Sequence, residues 1–294
     1  MVAYHVGARF VRALPQRWSY GLASRLGRWI FDRQGRHARW ASANLAIAFP
    51  DRSEAERREI GRASFENFAW NIVDYPRSEA WSDEQVLQRF EITGLEHVEK
   101  AVDKGNGVLL LTLHIGSWEL GVQAIALALK RWKPAVLGRP MQNPLLYRRI
   151  MNTRTRAGAQ LIDRRDAAKS MLRALRDGRP IGILLDQYSR RSRGVFVPLF
   201  GVRCSTSAGL ATLALRTGAA VVPCYVLRRD HEHHAAIFLP ELEFERSGDR
   251  KADIEGLTAL CNRVIERLVR ATPEQWMWQH RRFRHSPDLP SEPY

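Results

Sequence analysis

Two residues of this chain, His114 and Glu119, have the types and the spacing that acid–base chemistry requires. The histidine ends an apolar run over residues 107–114, and the glutamate falls in the first turn of the helix expected to follow. A strand, a turn and a helix can fold a carboxylate back toward an imidazole, and such a pair can take a proton from a hydroxyl. The structural alternative is a strand-end histidine that binds a carbonyl and a glutamate that complements the helix dipole.

The elements that must position this pair follow an alternating pattern after residue 90. The pattern predicts an α/β fold with a largely parallel sheet flanked by helices, in which ligands bind at the carboxyl ends of the strands. Strands are expected at 107–114, 134–137, 160–162, 181–185, 220–227, 235–239 and 241–245. Helices are expected at 118–130, 145–158, 166–177, 205–217 and 252–271.

Residues 1–89 are predicted to be helical throughout, which divides the chain into a helical N-terminal region, 1–89, and an α/β domain, 90–294. Apolar residues recur every four positions over 1–31, arginines lie between them, and Pro15 is expected to divide the stretch. Arginine with tryptophan and phenylalanine favours contact with an anionic membrane surface, whereas an ordinary core-facing helix is the alternative. Ser53 and Glu56 form a capping-box pattern that predicts the start of a long helix.

The most unusual feature of the composition is the net charge. The 46 lysines and arginines exceed the 31 acidic residues, which gives a net charge of +15 and favours polyanionic partners. A basic nucleic-acid-binding protein is therefore an alternative. It is disfavoured because the arginines are spread along the chain and the aromatic residues follow helical core patterns rather than a base-stacking strand motif.

The sequence has no segment expected to cross a membrane. Its longest stretch without Asp, Glu, Lys or Arg covers residues 105–118, whereas a spanning helix needs about 20 apolar residues. Arginines also interrupt any secretory segment at the N-terminus. The three cysteines are too few and too scattered to predict a disulfide framework or a zinc site.

Several motifs together carry a resemblance to a known family. In chain order they are LLLTLHIGSWEL, LGRPMQNPLL, LIDRRDAAKSMLRAL, GILLDQ, GVFVPLFG, ALRTGAAVVP and PEQWMWQHRRF. The set, over residues 36–286, resembles the late acyltransferases of lipid A biosynthesis, the lauroyl- and myristoyl-transferase branch of the H-x₄-D/E acyltransferases. The resemblance implies that a fatty acyl group passes from a thioester on acyl carrier protein to a hydroxyl of a phosphorylated lipid A precursor.

The same resemblance implies where and how the reaction occurs. It places the protein at the cytoplasmic face of the inner membrane, with no metal and no diffusible cofactor. His114 would be the general base, and Glu119 would fix the tautomer of its imidazole and stabilise the cation. The family usually begins with a hydrophobic anchor, but this N-terminus is interrupted by arginines, so peripheral attachment is expected. That departure leaves the acceptor open, because related enzymes acylate lysophospholipids, other glycolipids and lipoamino acids.

Three further residues are predicted to bind substrate. Arg139 matches the arginine of the family in its motif and suits bidentate contact with phosphate, with a structural salt bridge as the alternative. Arg164 also follows a short strand and is expected at the acceptor phosphate or the oxyanion. Asp186 ends a strand and is expected to order an arginine or the acceptor headgroup.

Two clusters of polar residues leave their roles open. The basic tail, residues 280–284, could contact phosphates or be a solvated surface segment. His231, His233 and His234 could suggest a metal site, but they fall where a hairpin turn is expected, and turn histidines are usually solvated.

Overall fold

A computed structural model of the protein describes residues 2–138, 151–163 and 167–294. The chain begins with five helices, as its N-terminal pattern predicts. They are α1 (Val2–Ala13), α2 (Gln16–Asp32), α3 (Arg36–Ala48), α4 (Glu54–Ser78) and α5 (Asp83–Leu87). The break between α1 and α2 lies at Pro15, and the capping box of Ser53 and Glu56 is present at the start of α4.

Helix α4 is the centre of this helical region, and α2 packs closely along it. A methyl group added at Gly27 of α2 would lie 2.6 Å from the carbonyl oxygen of Phe65, and one at Gly61 of α4 would lie 2.3 Å from the ring of Phe31. Neither position has room for a side chain. The two glycines therefore allow the backbones of α2 and α4 to approach each other.

A seven-stranded sheet is the centre of the fold after the helical region. Its strands are β1 (Phe90–Thr93), β2 (Val108–Thr112), β3 (Ala135–Gly138), β4 (Gln160–Asp163), β5 (Pro180–Leu184), β8 (Ala220–Arg228) and β9 (His234–Phe238). Their order is β1-β9-β8-β2-β5-β3-β4, and all neighbouring strands pair in parallel except β8 and β9, which form an antiparallel hairpin. A separate antiparallel hairpin pairs β6 (Gly194–Leu199) with β7 (Val202–Ser207).

Helices flank this sheet and complete the predicted α/β class. They are α6 (Leu95–Asp103), α7 (Trp118–Ala128), α8 (Ala167–Arg176), α9 (Gly209–Thr217) and α10 (Arg250–Ala271), and residues 151–156 are also helical. The described helices do not include one that is both long enough and apolar enough to cross a membrane.

Some expected element boundaries are wrong. The strand predicted at 241–245 is absent, since these described residues have no regular structure. The helix predicted from 205 begins only at Gly209, because Ser205–Ser207 belong to β7, where they pair with β6. The sequence pattern also gave no sign of β1, α6 or the β6–β7 hairpin. Pairing with a partner strand, rather than local propensity, decides the short strands among these segments.

The hydrophobic core joins the helical region to the sheet. Phe31, Leu45 and Phe65 of the N-terminal helices belong to the same buried cluster as Leu111 of β2 and Ile181 of β5. The division into 1–89 and 90–294 as separate domains stays a prediction. What the packing establishes is that the helices cover one part of the α/β core.

Candidate active site

The imidazole of His114 forms its closest polar contact with Asp186. The Nδ1 atom of His114 lies 2.8 Å from Oδ1 of Asp186. The register of the sheet explains this contact, because Thr112 at the end of β2 pairs with Leu184 at the end of β5. Both residues lie two positions beyond that pair, so the parallel strands deliver them to the same edge of the sheet. The contact is a histidine held by a buried acid, which is the arrangement of a general base.

Asp186 is fully buried, and its carboxylate accepts hydrogen bonds at both oxygens. The second oxygen, Oδ2, accepts from the backbone N–H of His114 at 2.9 Å and from Nε1 of Trp276 at 2.8 Å. Burial alone raises the pKa of this carboxyl, but the charge of His114 and the hydrogen bonds that His114 donates outweigh it. The pKa of Asp186 is therefore held well below its usual value, and the group is a carboxylate.

An ionised Asp186 fixes the tautomer of the histidine. The carboxylate accepts the Nδ1–H, so a neutral imidazole keeps its lone pair on Nε2. Only 19% of the His114 side chain is exposed, and Nε2 lies 3.5 Å from the amide nitrogen of Gln187. The unprotonated nitrogen is thus the one available to an incoming hydroxyl.

Glu119 contacts an arginine instead of His114. Its Oε1 accepts from Nη2 of Arg154 at 2.9 Å and from Nε at 3.2 Å, and its Oε2 accepts from Nη2 at 3.1 Å. Glu119 lies in the first turn of α7 and Arg154 in the helical residues 151–156, and both side chains are largely buried. This differs from the expectation that Glu119 orients His114, because the carboxylate beside the imidazole is that of Asp186. A part for Glu119 in catalysis stays a prediction.

The substrate contacts predicted for three residues stay predictions. Asp186 is fully buried, and its carboxylate contacts His114 and Trp276. Arg139 and Arg164 lie outside the described residues, so their substrate contacts remain predictions.

An apolar cavity lies between α7 and the sheet, with about 60 Å³ accessible to the centre of a water molecule. Thr112, Leu113 and Trp118, which flank the His114 turn on both sides, line one part of it. The rest of its wall comes from apolar side chains of α7 and of the central strands, among them Val122, Ile125, Leu110, Val136 and Leu184. Ligand pockets are lined mainly by apolar side chains, and this lining suits an alkyl chain.

The segment after α10 closes the site from the other side. The N–H of Met277 donates to the carbonyl of His114 at 3.0 Å, and the N–H of Gly116 donates to the carbonyl of Gln275 at 3.1 Å. Trp276 is completely buried. The sequence reasoning missed the role of this segment, although its motif was among those that resemble the family, because nothing local shows that it pairs with residues 114–116.

The basic tail is partly structural. Arg282 and Phe283 are completely buried, and the guanidinium of Arg282 donates to the carbonyl of Ser205 at 3.0 Å and to Oγ1 of Thr206 at 2.7 Å. The expectation that this residue is solvated or meets phosphate is therefore wrong. His280 also packs inward, with Nε2 at 3.2 Å from the carbonyl of Asp186, and burial lowers the pKa of its imidazole to about 4 although the Asp186 carboxylate opposes this.

The three histidines near residue 231 do not come together. His231 stacks on Tyr20 with ring centroids 4.2 Å apart, and His233 is exposed beside Asp230. His234 is buried as the first residue of β9, with Nδ1 at 2.9 Å from Oγ of Ser117. Within residues 2–138, 151–163 and 167–294, no group of three or more His, Cys, Asp or Glu side chains could hold a metal ion.

His234 is expected to make the protein lose stability in mild acid. Burial first, and the charge of Arg228 second, lower the pKa of its imidazole from 6.5 to about 3. Below pH 6.5 the imidazole is protonated in the unfolded chain but stays neutral in the folded chain. As the pH falls, the free energy of unfolding therefore decreases by about 1.4 kcal/mol per pH unit until the pH approaches the pKa of the folded state. Between pH 6.5 and pH 5, the free energy of unfolding measured with urea should decrease by about 2 kcal/mol less for His234→Gln than for the wild type.

The matched control for this prediction is His233→Gln. His233 lies one position earlier in the chain and is exposed beside Asp230, so its substitution reports the effect of removing a histidine that is not buried. Parallel slopes for wild type and His234→Gln would show that His234 is not a buried neutral group.

The sequence of the chain is similar to those of known proteins. A sequence profile described as "Bacterial lipid A biosynthesis acyltransferase" matches residues 1–285. The lipid A biosynthesis lauroyltransferase of Escherichia coli K12 is 32% identical over 280 residues, which cover 94% of this chain and 88% of that protein.

Two further relatives come from the same bacterium. The lipid A biosynthesis palmitoleoyltransferase is 27% identical over 269 residues, covering 90% of this chain and 85% of its own. The lipid A biosynthesis myristoyltransferase is 27% identical over 266 residues, which cover 90% of this chain and 80% of that protein. With a buried acid on a histidine, an apolar cavity beside it and a family match over nearly the whole chain, the protein is an acyltransferase and belongs to the bacterial lipid A biosynthesis acyltransferase family.

Proposed function

We propose that the protein transfers a fatty acyl chain from the thioester of acyl carrier protein to a hydroxyl of a phosphorylated lipid A precursor. The observation that carries this proposal is the His114–Asp186 pair beside an apolar cavity in a member of this family. The names of the relatives supply the acceptor, because each acts in lipid A biosynthesis.

The reaction needs one base and can return its proton. His114 Nε2 takes the proton of the acceptor hydroxyl, and the oxygen attacks the thioester carbonyl to give a tetrahedral intermediate. The C–S bond then breaks, the thiolate leaves, and the imidazolium returns the proton to sulfur. Asp186 holds the Nδ1–H throughout and stabilises the imidazolium, as a carboxylate does in a triad. The free N–H groups at the start of α7 are the proposed donors that stabilise the oxyanion.

The cavity is proposed to hold the acyl chain. Its walls are apolar, and the residues flanking the His114 turn line it, so a chain lying there would place its thioester carbonyl near the imidazole. The hydrophobic effect favours this position by about 0.8 kcal/mol for each buried methylene. Arg139 and Arg164 remain the proposed partners of the acceptor phosphates, on the sequence argument alone.

The transfer can be tested with purified components. The protein is incubated with acyl carrier protein thioesters of 10 to 16 carbons and a lipid A precursor, and the products are read by mass spectrometry. An added acyl mass on the precursor supports the proposal and identifies the preferred chain. Transfer only to a lysophospholipid, offered in parallel, would assign the protein to a different acceptor, and no transfer at all would contradict the proposal.

The outer face of α2 is proposed to lie on the inner membrane, on its cytoplasmic side. Trp18 and Trp29 are 64% and 52% exposed, and Leu22 and Leu26 between them are exposed on the same face. The buried face of the helix, with Tyr20 and Phe31 among its residues, packs into the protein and leaves this apolar strip outward.

Charge complementarity favours an anionic bilayer as the occupant of this strip. The first 50 residues contain eight arginines and a single acidic residue, Asp32. That residue is already bound, since it accepts from Arg58 at 2.6 Å and from Arg62 at 2.7 Å. A basic helix with exposed tryptophan and leucine is the pattern of an interfacial membrane helix.

Replacing Trp18 and Trp29 by serine is expected to weaken binding to vesicles at least about tenfold, because each indole contributes about 1.5–3 kcal/mol when buried in the interface. The melting temperature should stay close to that of the wild type, since both side chains are exposed. Flotation with phosphatidylglycerol–phosphatidylethanolamine vesicles measures the first effect, and thermal unfolding the second.

Leu87→Ser is the control for the vesicle experiment. Leu87 is an exposed apolar residue on α5, a different helix from α2, and its loss should leave vesicle binding unchanged. If the double tryptophan variant still binds fully, or if it unfolds at a clearly lower temperature, the strip is not the membrane surface.

A further inference from the structure

The carbonyl oxygen of Gly116, two residues after His114, is held by two amides from α4. Asn67 donates to it at 3.1 Å and Asn71 at 2.9 Å, both through Nδ2. Gly116 has a positive φ of 60°, and a methyl group there would lie 2.2 Å from the carbonyl oxygen of Val226. The turn between His114 and α7 therefore has a constrained backbone whose outward carbonyl is fixed from the helical region.

The amide of Asn67 has only one orientation that satisfies its neighbours. Its Nδ2 also donates to the carbonyl of Gln275 at 3.1 Å, and its Oδ1 accepts from Nε of Arg228 at 3.1 Å. A flipped amide would point its oxygen at two carbonyls and its NH₂ at a guanidinium. The orientation of Arg228 thus decides how Asn67 presents its donors to the turn.

Arg228 is itself fixed by a chain that ends on α2. Its Nη2 donates to Oδ2 of Asp74, and Oδ1 of Asp74 accepts from the hydroxyl of Tyr20. All three side chains are buried. The hydrogen bonds therefore run without interruption from Tyr20, on the inner face of the helix whose outer face carries Trp18 and Trp29, to the turn beside His114.

A buried ion pair such as Asp74–Arg228 adds little net stability, because the cost of desolvation offsets most of the attraction. Its chief effect is to fix geometry. On the other side of the turn, Asp186 and Met277 already hold the backbone of His114 through its N–H and its carbonyl. Asn67 and Asn71 supply the opposing attachment, so that the backbone on both sides of the imidazole is held.

We propose that Asn67 and Asn71 are positioning residues for His114, and that Tyr20, Asp74 and Arg228 extend this support to the membrane-facing helix α2. The inference rests on the proposed function of His114 as the base. It assigns the helical N-terminal region a part in positioning the base, in addition to its proposed part in attachment. None of these five side chains is proposed to contact the substrate.

The decisive comparison is Asn67→Asp against Asn262→Asp. Asn67→Asp keeps an acceptor for Arg228 but replaces the donor to Gly116 by an oxygen. Asn262 is also completely buried and donates through Nδ2 to a backbone carbonyl, that of Pro198 at 3.0 Å, but it lies among β6, β7 and α10. Asn67→Asp should lower kcat about 10- to 100-fold with both KM values nearly unchanged. Asn262→Asp should lower only the melting temperature.

Two milder variants keep the proposal testable if Asn67→Asp does not fold. Asn71→Ala leaves Gly116 with one amide donor, and Tyr20→Phe removes a single hydroxyl at the far end of the chain. Each should lower kcat by about two- to tenfold at an unchanged KM. Wild-type kcat in both, or losses of kcat that parallel the loss of melting temperature in all variants including Asn262→Asp, would overturn the proposal.

A spectroscopic measurement separates this inference from the proposed function. In protein labelled with ¹⁵N-histidine, the Nδ1 proton of His114 bonded to Asp186 reports the position of the ring without any substrate. Its resonance should shift or broaden in Asn67→Asp and stay in place in Asn262→Asp. If wild type transfers no acyl group but this difference is seen, the function fails and the positioning holds. An unmoved resonance in Asn67→Asp overturns the positioning.

Discussion

Substitution of His114 is expected to lower kcat for acyl transfer by about 10²–10⁴, the usual contribution of a general base. Alanine would remove the base but would also leave the buried Asp186 without its Nδ1–H donor. Asparagine is the cleaner change, because its side-chain amide can still donate to Asp186 while offering no basic nitrogen. Transfer from acyl carrier protein thioester measures the effect, and KM for both substrates should change little.

The control for His114→Asn is His233→Asn, an exposed histidine on the turn between β8 and β9. It should keep both the rate and the melting temperature of the wild type. A folded His114→Asn protein that transfers acyl groups at the wild-type rate would exclude His114 as the base.

Asp186→Asn is expected to cause the second large effect, a decrease in kcat of about 10²–10⁴, because it changes the tautomer of the His114 imidazole. Oδ2 of Asp186 accepts two N–H groups, from His114 and Trp276, so the NH₂ of an asparagine is driven toward Nδ1. The imidazole then accepts at Nδ1 and carries its proton on Nε2, where it cannot act as a base. Steady-state rates and the ¹⁵N spectrum of His114 together report this change.

Glu119→Gln provides the comparison that separates the two acids. We expect it also to lower the rate, but to leave the proton of His114 on Nδ1, because Glu119 contacts Arg154 and not the imidazole. If Glu119→Gln changes the His114 tautomer while Asp186→Asn does not, Glu119 and not Asp186 orients the base.

Local patterns in the sequence were sufficient for most of the elements. The apolar run that ends at His114, the capping box at Ser53 and Glu56, and the arginine-broken amphipathic pattern over residues 1–31 each depend on neighbours within a few positions. They predicted β2, α4 and the α1–α2 pair, and the alternation after residue 90 predicted the α/β class. The ordered set of motifs predicted the family, which the profile match confirms.

The partner of His114 could not be obtained in this way. Asp186 lies 72 positions further along the chain, and its place beside His114 depends on β5 being the neighbour of β2. An alternation of strands and helices is compatible with several strand orders, so it shows that both residues end strands but not that the strands adjoin. Sequence spacing instead favoured Glu119, the nearest acid, which in the folded chain accepts hydrogen bonds from Arg154.

The same reason explains the other residues that only the tertiary structure reveals. Asn67 and Asn71 look like ordinary polar positions of a helix, and Trp276 like one more aromatic of the chain, until α4 and the segment after α10 meet the turn at Gly116. The sequence by itself determined the local elements and the net charge, and it singled out His114 as the proposed base, because these are set by adjacent residues. Which acid contacts that histidine, and which amides hold its turn, was decided by strand order and helix packing, since contacts between distant segments exist only in the folded chain.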